Sequence, residues 1–196
     1  MIHPDTELRV VDEEIGLGVF ATKLIPKGTV TLALDSLDQI FEPSYLNSLD
    51  PLRSAPFEKY TYRDQEGRYI LSWDHGKYVN HSFHANCFTT PYGFDIAVRD
   101  IHAGEQLTNE YGLFNLDEPF LCRPEEGSER TSVSKADLIK YYPEWDAKIL
   151  DAFKAFEQVS QPLDLFIPKE CRKRIRVAVK ENRVVDSVLA LYYGGE

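Results

Sequence analysis

Two stretches of this sequence decide the fold class. Residues 77–87 read KYVNHSFHANC, and residues 104–112 read GEQLTNEYG. Upstream of both, residues 16–21 read GLGVFA. An Asn-His-Ser tripeptide or a Gly-x-Gly turn alone is a weak signal, because each occurs by chance in unrelated proteins. All three in this order and at these separations form a much more specific pattern.

The segments around these motifs have the composition of short strands. Residues 8–12, 16–23 and 29–34 are separated by Gly and Pro turns, and similar strand-like runs return at 69–73 and 93–99. Such runs bounded by turn residues predict several small sheets.

Between these strands, the prolines at positions 43, 51 and 56 predict an irregular segment with a short helix around residues 44–49. The last third of the chain instead has helical periodicity. Ser134 followed by Asp137 is typical of a helix start. An apolar stripe then follows at spacings of four, four and three, formed by Trp145, Ile149, Phe153 and Phe156. After Pro162 and Pro168, the composition of residues 170 to about 192 again predicts a helix.

The three motifs resemble those of the SET domain family of protein lysine methyltransferases, in the compact stand-alone form seen in bacteria and some viruses. The resemblance runs from about residue 8 to residue 120. It implies a mainly β fold with α, in which several small curved sheets surround a knot-like core, plus a helical C-terminal extension. We therefore predict a SET catalytic domain over residues 1–120, with a variable insert at about 35–68. The extension, residues 121–196, is expected to pack on it.

The function implied is methyl transfer from S-adenosyl-L-methionine to the amine of a lysine in a basic protein or peptide, with S-adenosyl-L-homocysteine as the product. The amine must arrive neutral, so that its lone pair attacks the sulfonium methyl. Free lysine has a pKa of about 10.4, and a narrow, partly apolar channel lowers it by disfavouring the ammonium form. The fold must therefore supply a tight channel and a separate cofactor cradle.

The resemblance assigns Tyr111 as the catalytic residue, placed where the two pockets meet. A tyrosine with a pKa of about 10 is a poor base at neutral pH, which favours a role in positioning and electrostatics. The substrate channel is assigned to Tyr60, Tyr78 and Asn109. The cofactor-binding positions are Leu17, Gly18, Val19, Asn80, His81, Tyr111 and Phe120.

Each assignment has a structural alternative. Gly16 and Gly18 also fit a simple hairpin turn. Asn80 and His81 equally suit a structural segment, and Tyr111 suits a packed core position. The chain as a whole has a non-catalytic alternative, a SET-like module that binds a protein partner through its groove.

The sequence departs from the family in its cysteines. Many members have Cys at the position of Phe83 and a zinc-binding cysteine cluster after the catalytic tyrosine, of which only Cys122 is present. Tetrahedral zinc needs about four Cys or His ligands, so no metal is expected. Another element must then cover the cofactor. We expect Phe120 or Leu121 to do so, together with tail aromatics such as Trp145, Tyr192 or Tyr193.

The charge of the chain is uneven. Of the net −10, residues 1–130 contribute −11, with 11 Lys and Arg against 22 Asp and Glu, and residues 131–196 contribute +1. An acidic catalytic part attracts basic partners and repels nucleic acid, although ordinary solubility explains such charge equally well. Acidic and apolar residues interrupt the basic residues between 169 and 183, so no direct nucleic-acid binding is expected.

With 196 residues and 43% apolar content, the chain is long enough for one real core. It has no signal-peptide pattern and no apolar run of the roughly 20 residues that span a bilayer. Its three cysteines are odd in number and far apart, which fits no disulfide framework. The sequence therefore predicts a soluble protein of the cytoplasm, in a reducing compartment and without membrane partners.

Overall fold

A computed structural model describes residues 1–195, which form twelve short strands and three α-helices. The strands are β1 (Thr6–Asp12), β2 (Gly16–Ala21), β3 (Val30–Ala33), β4 (Gln39–Phe41), β5 (Thr61–Arg63), β6 (Tyr69–Leu71), β7 (Asn80–His81), β8 (Cys87–Thr89), β9 (Phe94–Ala97), β10 (Thr108–Asn109), β11 (Phe120–Leu121) and β12 (Ser132–Val133). The helices are α1 (Pro51–Tyr60), α2 (Ala136–Phe156) and α3 (Lys169–Glu181).

The strands assemble into four small sheets. The largest has the order β3-β9-β8-β10-β7, and β10 runs parallel to both of its neighbours. The others are the β1-β2 hairpin, the three-stranded sheet β4-β6-β5 and the β11-β12 hairpin. Several small sheets with helices after them confirm the predicted fold class.

Asn86 joins the two diagnostic stretches of sequence. Its side chain is 1% exposed. The amide oxygen accepts from the backbone N–H of Thr108 at 2.9 Å, and Nδ2 donates to the carbonyl of Gln106 at 2.8 Å. Since β10 is only two residues long, these side-chain bonds replace the ladder that a longer strand would provide. They fix the segment that leads into Tyr111.

The insert is more helical than its prolines indicated. Residues 43–48 form a 3-10 turn, close to the predicted short helix, and α1 then follows where an irregular chain was expected. That expectation was wrong because two of the prolines are compatible with helix entry. Asp50 accepts hydrogen bonds from the backbone N–H groups of Leu52 and Arg53, and Pro51 occupies the first helical position.

The α2 helix confirms the apolar stripe. All four stripe residues, Trp145, Ile149, Phe153 and Phe156, are at most 5% exposed. Together with Phe88, Phe94 and Ile96 of the largest sheet they form the main core. At the predicted start, the carboxylate of Asp137 accepts from the backbone N–H of Ser134 at 3.0 Å, which is half of a capping box. The α2 helix therefore packs on the largest sheet.

The last helix is shorter than predicted. We expected it to continue to about Tyr192, but α3 ends at Glu181 because Asn182 adopts the left-handed conformation, with φ of 45°. The chain then turns back, and buried Asp146 of α2 accepts from the backbone N–H of Val188 at 2.8 Å. This bond holds the final segment against α2.

No helix within residues 1–195 combines the length and the apolar character that a membrane crossing requires. Over the same range, no group of three or more His, Cys, Asp or Glu side chains is arranged to hold a metal ion.

Candidate active site

Tyr111 is held at three points. It begins a 3-10 turn, and the carboxylate of Glu110 accepts from the backbone N–H of Gly112 at 2.9 Å to cap that turn. The backbone N–H of Tyr111 donates to Nδ1 of His81 at 3.2 Å. Its hydroxyl donates to the carbonyl oxygen of Val79 at 2.8 Å. Both the backbone and the phenol of Tyr111 are therefore tied to the Asn-His segment.

The role of His81 follows from its tautomer. Because Nδ1 accepts a hydrogen bond, the proton of the neutral ring lies on Nε2. Burial lowers the pKa of His81, although the nearby Glu110 carboxylate opposes this effect. His81 is thus a neutral residue that positions Tyr111. Its Nε2 is buried and has no hydrogen-bond partner among residues 1–195.

A cavity of about 220 Å³ lies beside Tyr111, and we call it the Tyr111 cavity. Its walls include five aromatic side chains, two lysines and two acidic residues, Glu58 and Asp95. Aromatic or charged residues that line it include Tyr60, Tyr62, Lys77, Tyr111, Phe114 and Phe120. The ring centroid of Tyr111 lies 5.4 Å from that of Phe114 and 6.0 Å from that of Phe120.

A second cavity of about 150 Å³ adjoins the first, and we call it the Leu34 cavity. Its outer walls carry charge from Asp38, Arg63 and Asp64. Five residues line both cavities: Leu32, Tyr62, Ser72, Asp95 and Phe114. The rings of Tyr62 and Phe114 are stacked with centroids 4.9 Å apart. They form part of the shared wall, so two cavities meet within one aromatic junction close to Tyr111.

Asp95 is the charged residue of this junction. It is 6% exposed, and its Oδ2 accepts from Nδ2 of Asn109 at 2.8 Å. Burial raises the pKa of Asp95 to about 6, although hydrogen bonds from Thr89 and Asn109 oppose this. Sequence reasoning missed Asp95, because nothing in the 93–99 strand pattern shows that its side chain borders a cavity.

Burial also sets the acidity of Tyr111. It raises the pKa of Tyr111 to about 12, chiefly through desolvation of the phenolate. The hydroxyl therefore keeps its proton at neutral pH and donates it to Val79.

The Gly-x-Gly segment borders neither cavity, but it contacts the Asn-His segment. Nδ2 of Asn80 donates to the carbonyl of Leu17 at 3.0 Å. A Cβ on Gly18 would lie 2.7 Å from Nε2 of Gln106, so only glycine fits without movement. Val19 is fully buried and its carbonyl accepts from Leu107. The four predicted cofactor residues Leu17, Gly18, Val19 and Asn80 thus form one edge beside Val79 and the Tyr111 cavity.

Of the three residues assigned to the substrate channel, two line the Tyr111 cavity. Tyr60 and Asn109 line the Tyr111 cavity, whereas Tyr78 does not and instead lies edge-on to Tyr60 at 5.4 Å. The assignment of Tyr78 to the channel wall stays a prediction. Tyr62, one of several tyrosines that the sequence could not rank as channel walls, lines both cavities, and Phe114 was missed.

Of the residues expected to cover the cofactor, only Phe120 lines the Tyr111 cavity. Phe120 lines the Tyr111 cavity and is 48% exposed, and Leu121 beside it is 81% exposed. Trp145, by contrast, is 2% exposed and packs in the main core, which corrects the expectation that it covers the cofactor. Tyr192 packs against that core and Tyr193 packs over Gly67, and neither lines the Tyr111 cavity. The tail reaches the Leu34 cavity instead, through Leu191.

The extension also supports both motifs. The carboxylate of Glu125 accepts from the hydroxyl of Ser82 at 2.8 Å and from the backbone N–H of Phe83. Arg130 binds the carboxylate of Glu110 through two nitrogens, at 2.6 and 3.2 Å. The hairpin of β11 and β12 crosses the predicted boundary at residue 120, and that boundary stays a prediction.

A comparison with family models decides the assignment. The model of the SET domain matches residues 16–112, about half of the chain. The chain belongs to the SET domain family. This membership supports a methyltransferase in general terms. The matched range includes both motifs and Tyr111, and it ends before the extension.

Among solved structures, the SET domain resembles a Plasmodium falciparum protein named as a proposed histone methyltransferase. The two are 18% identical, with a TM-score of 0.40, and the match covers 57% of this chain and 96% of that one. No curated protein matches the sequence of this chain.

Proposed function

We propose that this SET domain is an S-adenosyl-L-methionine-dependent protein lysine N-methyltransferase that acts on a basic protein substrate. The observation that carries the proposal is the junction of two cavities beside Tyr111, formed by Tyr62, Asp95 and Phe114. A methyl donor and an acceptor amine must approach one point from different sides. Two adjoining cavities with a common wall supply that arrangement.

The residues around the Tyr111 cavity fit the chemistry of the donor. Lys59 and Lys77 line it and suit a carboxylate. Aromatic faces such as those of Tyr60 and Tyr111 attract a cationic sulfonium. Exposed Phe120 offers an apolar surface to a purine ring. When bound, S-adenosyl-L-methionine supplies the electrophilic methyl carbon.

The volume of the Tyr111 cavity indicates how much of a ligand it can enclose. Pockets that enclose a drug-sized ligand measure about 300–1,000 Å³. The Tyr111 cavity, at about 220 Å³, is smaller, so it encloses only part of such a ligand. The edge formed by Leu17, Gly18 and Asn80 and the exposed Phe120 and Leu121 are the surfaces left for the remainder.

The residues of the chain have separate tasks. Tyr111 keeps its proton and is fixed by Val79, so it supports positioning of the reacting groups rather than proton removal. The stacked rings of Tyr62 and Phe114 keep the junction narrow and so align the groups that meet there. His81 holds the backbone of Tyr111 in place.

The charge of the surface supports a protein substrate over nucleic acid. Residues 1–130, which contain the proposed catalytic domain, carry a net charge of −11. In the tail, most of the basic residues of α3 and the segment after it already pair with acidic ones: Arg172 with Asp164, Lys173 with Glu170, Arg174 with Asp186, Arg176 with Glu157 and Arg183 with Glu181. Such pairs leave little uncompensated charge for phosphates.

Two measurements test the proposal. Calorimetric titration with S-adenosyl-L-methionine should show one site per chain. Incubation with donor labelled on the methyl group and a basic protein extract should move label into protein, and peptide analysis should place it on lysine. Binding without transfer would favour the non-catalytic module, and absence of binding would remove the enzyme assignment.

A further inference from the structure

Asp95 is a buried carboxylate without a cationic partner. It is 6% exposed, and no ion pair within residues 1–195 includes it. Its hydrogen bonds come from the neutral side chains of Asn109 and Thr89. A buried carboxylate is costly unless a counter-charge compensates it. No positive side chain within residues 1–195 forms an ion pair with this carboxylate, so a cation that enters the cavities can supply the counter-charge.

The position of Asp95 indicates where that charge enters. Asp95 lines both the Tyr111 cavity and the Leu34 cavity. The other shared residues, Leu32, Tyr62, Ser72 and Phe114, are apolar, aromatic or small. A flexible alkyl chain that ends in an ammonium group matches this junction, since the chain contacts apolar walls and the ammonium contacts aromatic faces and a carboxylate.

On these grounds, and resting on the proposed function, we propose that Asp95 binds the ammonium group of the substrate lysine at the junction and accepts the proton that the amine must lose. In this step an N–H bond of the ammonium breaks and an O–H bond forms on the Asp95 carboxylate. The electron pair stays on nitrogen, which becomes the neutral nucleophile. Asp95 then returns the proton to water through the Leu34 cavity, whose 150 Å³ has room for several waters.

The burial of Asp95 suits both parts of this role. Burial raises the pKa of Asp95 to about 6. The proton affinity of Asp95 is therefore closer to that of an amine than the proton affinity of an ordinary carboxyl group is. Asn109 donates to Oδ2 and holds the carboxylate in one orientation. Asn109 therefore acts as a positioning residue for Asp95.

Other charged and titratable groups surround Asp95: Glu58, Lys59 and Lys77 line the Tyr111 cavity, and Asp38, Arg63, Asp64 and Arg68 line the Leu34 cavity. Burial raises the pKa of Tyr62 further above its ordinary value, with a smaller contribution from Asp95, and raises that of Cys87 to about 12. Asp38 and Asp64 act on Tyr62 from the outer part of the Leu34 cavity. The amino terminus of Met1 is the positive group that acts on Asp95 from within the chain.

The test uses n-butylammonium as a probe of the lysine side chain and n-butanol as its neutral counterpart. Both are titrated into the full chain without methyl donor, at matched ionic strength and pH 7.5, and followed by NMR, including the side-chain amide of Asn109. The wild type should bind the cation about tenfold or more tightly than the alcohol, as expected for a charge-assisted hydrogen bond. Asp95→Asn should abolish that preference.

Asp151→Asn is the matched control. It removes one carboxylate on the exposed surface of α2, where Asp151 pairs with Lys27, and should keep the full preference. Equal affinity of the wild type for both probes, or a preference that survives in Asp95→Asn, overturns the proposal.

A pH series on the wild type keeps the test decisive if Asp95→Asn does not fold. The cation preference should fall as the pH is lowered through about 6, since Asp95 becomes neutral. A constant preference between about pH 5 and 8 contradicts the role. The test needs no turnover, so a methyltransferase without cation preference refutes Asp95 alone. A chain that prefers the cation but transfers no methyl group refutes the enzyme assignment alone.

Discussion

Replacing Arg130 with Met should destabilise the protein strongly, because it leaves Glu110 buried without its counter-charge. The Glu110 side chain is 1% exposed, and Arg130 binds both of its carboxylate oxygens. Arg130 also binds Asp137 at the start of α2, at 2.9 Å. Its guanidinium lies 4.5 Å from the ring centroid of Phe83. These contacts connect the extension to the residue that precedes Tyr111.

The magnitude follows from burial. Removing one partner of a buried ion pair typically costs about 3–5 kcal/mol, whereas an exposed pair contributes about 0–1 kcal/mol. Arg123 offers a matched control because it also binds two carboxylates, those of Asp12 and Glu14, but its side chain is 45% exposed. Arg123→Met should therefore change the free energy of unfolding by no more than about 1 kcal/mol.

Urea unfolding at pH 7.5 measures both variants. The double variant Glu110→Gln/Arg130→Met should cost less than the two single changes added together, because it removes the unpaired charge. A loss for Arg130→Met no larger than that for Arg123→Met would refute the view that this pair is a buried connection between the extension and the Tyr111 turn.

Three further predictions concern the site. Tyr111→Phe removes the hydrogen bond to Val79 and should lower turnover far more than donor affinity; comparable losses in kinetics and calorimetry would indicate a structural tyrosine. Gly18→Ala should weaken donor binding in calorimetry, because its Cβ would crowd Gln106, Val11 and Asn80, and unchanged donor affinity would contradict this. Gly16→Ala has open space around its Cβ and should cost only roughly 1–2 kcal/mol of stability, through its φ of +83°. Burial raises the pKa of Asp95 above that of the unfolded chain, so the native state gains stability from the protonated form at low pH and loses it as the pH rises from about 4 to 6. Asp95→Asn should thus raise the free energy of unfolding at pH 7.5 by about 3 kcal/mol at most, with the gain vanishing near pH 4 in urea unfolding; a loss at pH 7.5 would contradict the argument.

The parts of the fold that the sequence predicts are those set by local patterns. Alternating short runs with Gly and Pro turns predict β2 and β9, and the 4-4-3 spacing from Trp145 predicts the buried face of α2. Where two local signals compete, the prediction fails. Three prolines between positions 43 and 56 indicated irregular chain, yet Asp50 and Pro51 start a helix. Asn182 ends α3 early, and its left-handed conformation cannot be distinguished in sequence from an ordinary helical Asn.

The site is predictable only where a motif fixes it. Tyr111 and His81 come from motifs and lie in contact in the structure. Asp95, Tyr62 and Phe114 belong to no motif and become neighbours only because three different segments converge on one junction. Their proximity is a tertiary property, which a single sequence does not contain.

The most direct test of the central claim is mass spectrometry of lysine methylation. A basic protein extract is incubated with donor that carries a deuterated methyl group, together with the wild type or Tyr111→Phe. The account predicts deuterated methyl groups on lysine side chains with the wild type and a large reduction with Tyr111→Phe. Equal labelling by both proteins would contradict the role of Tyr111, and label confined to residues other than lysine would contradict the proposed reaction.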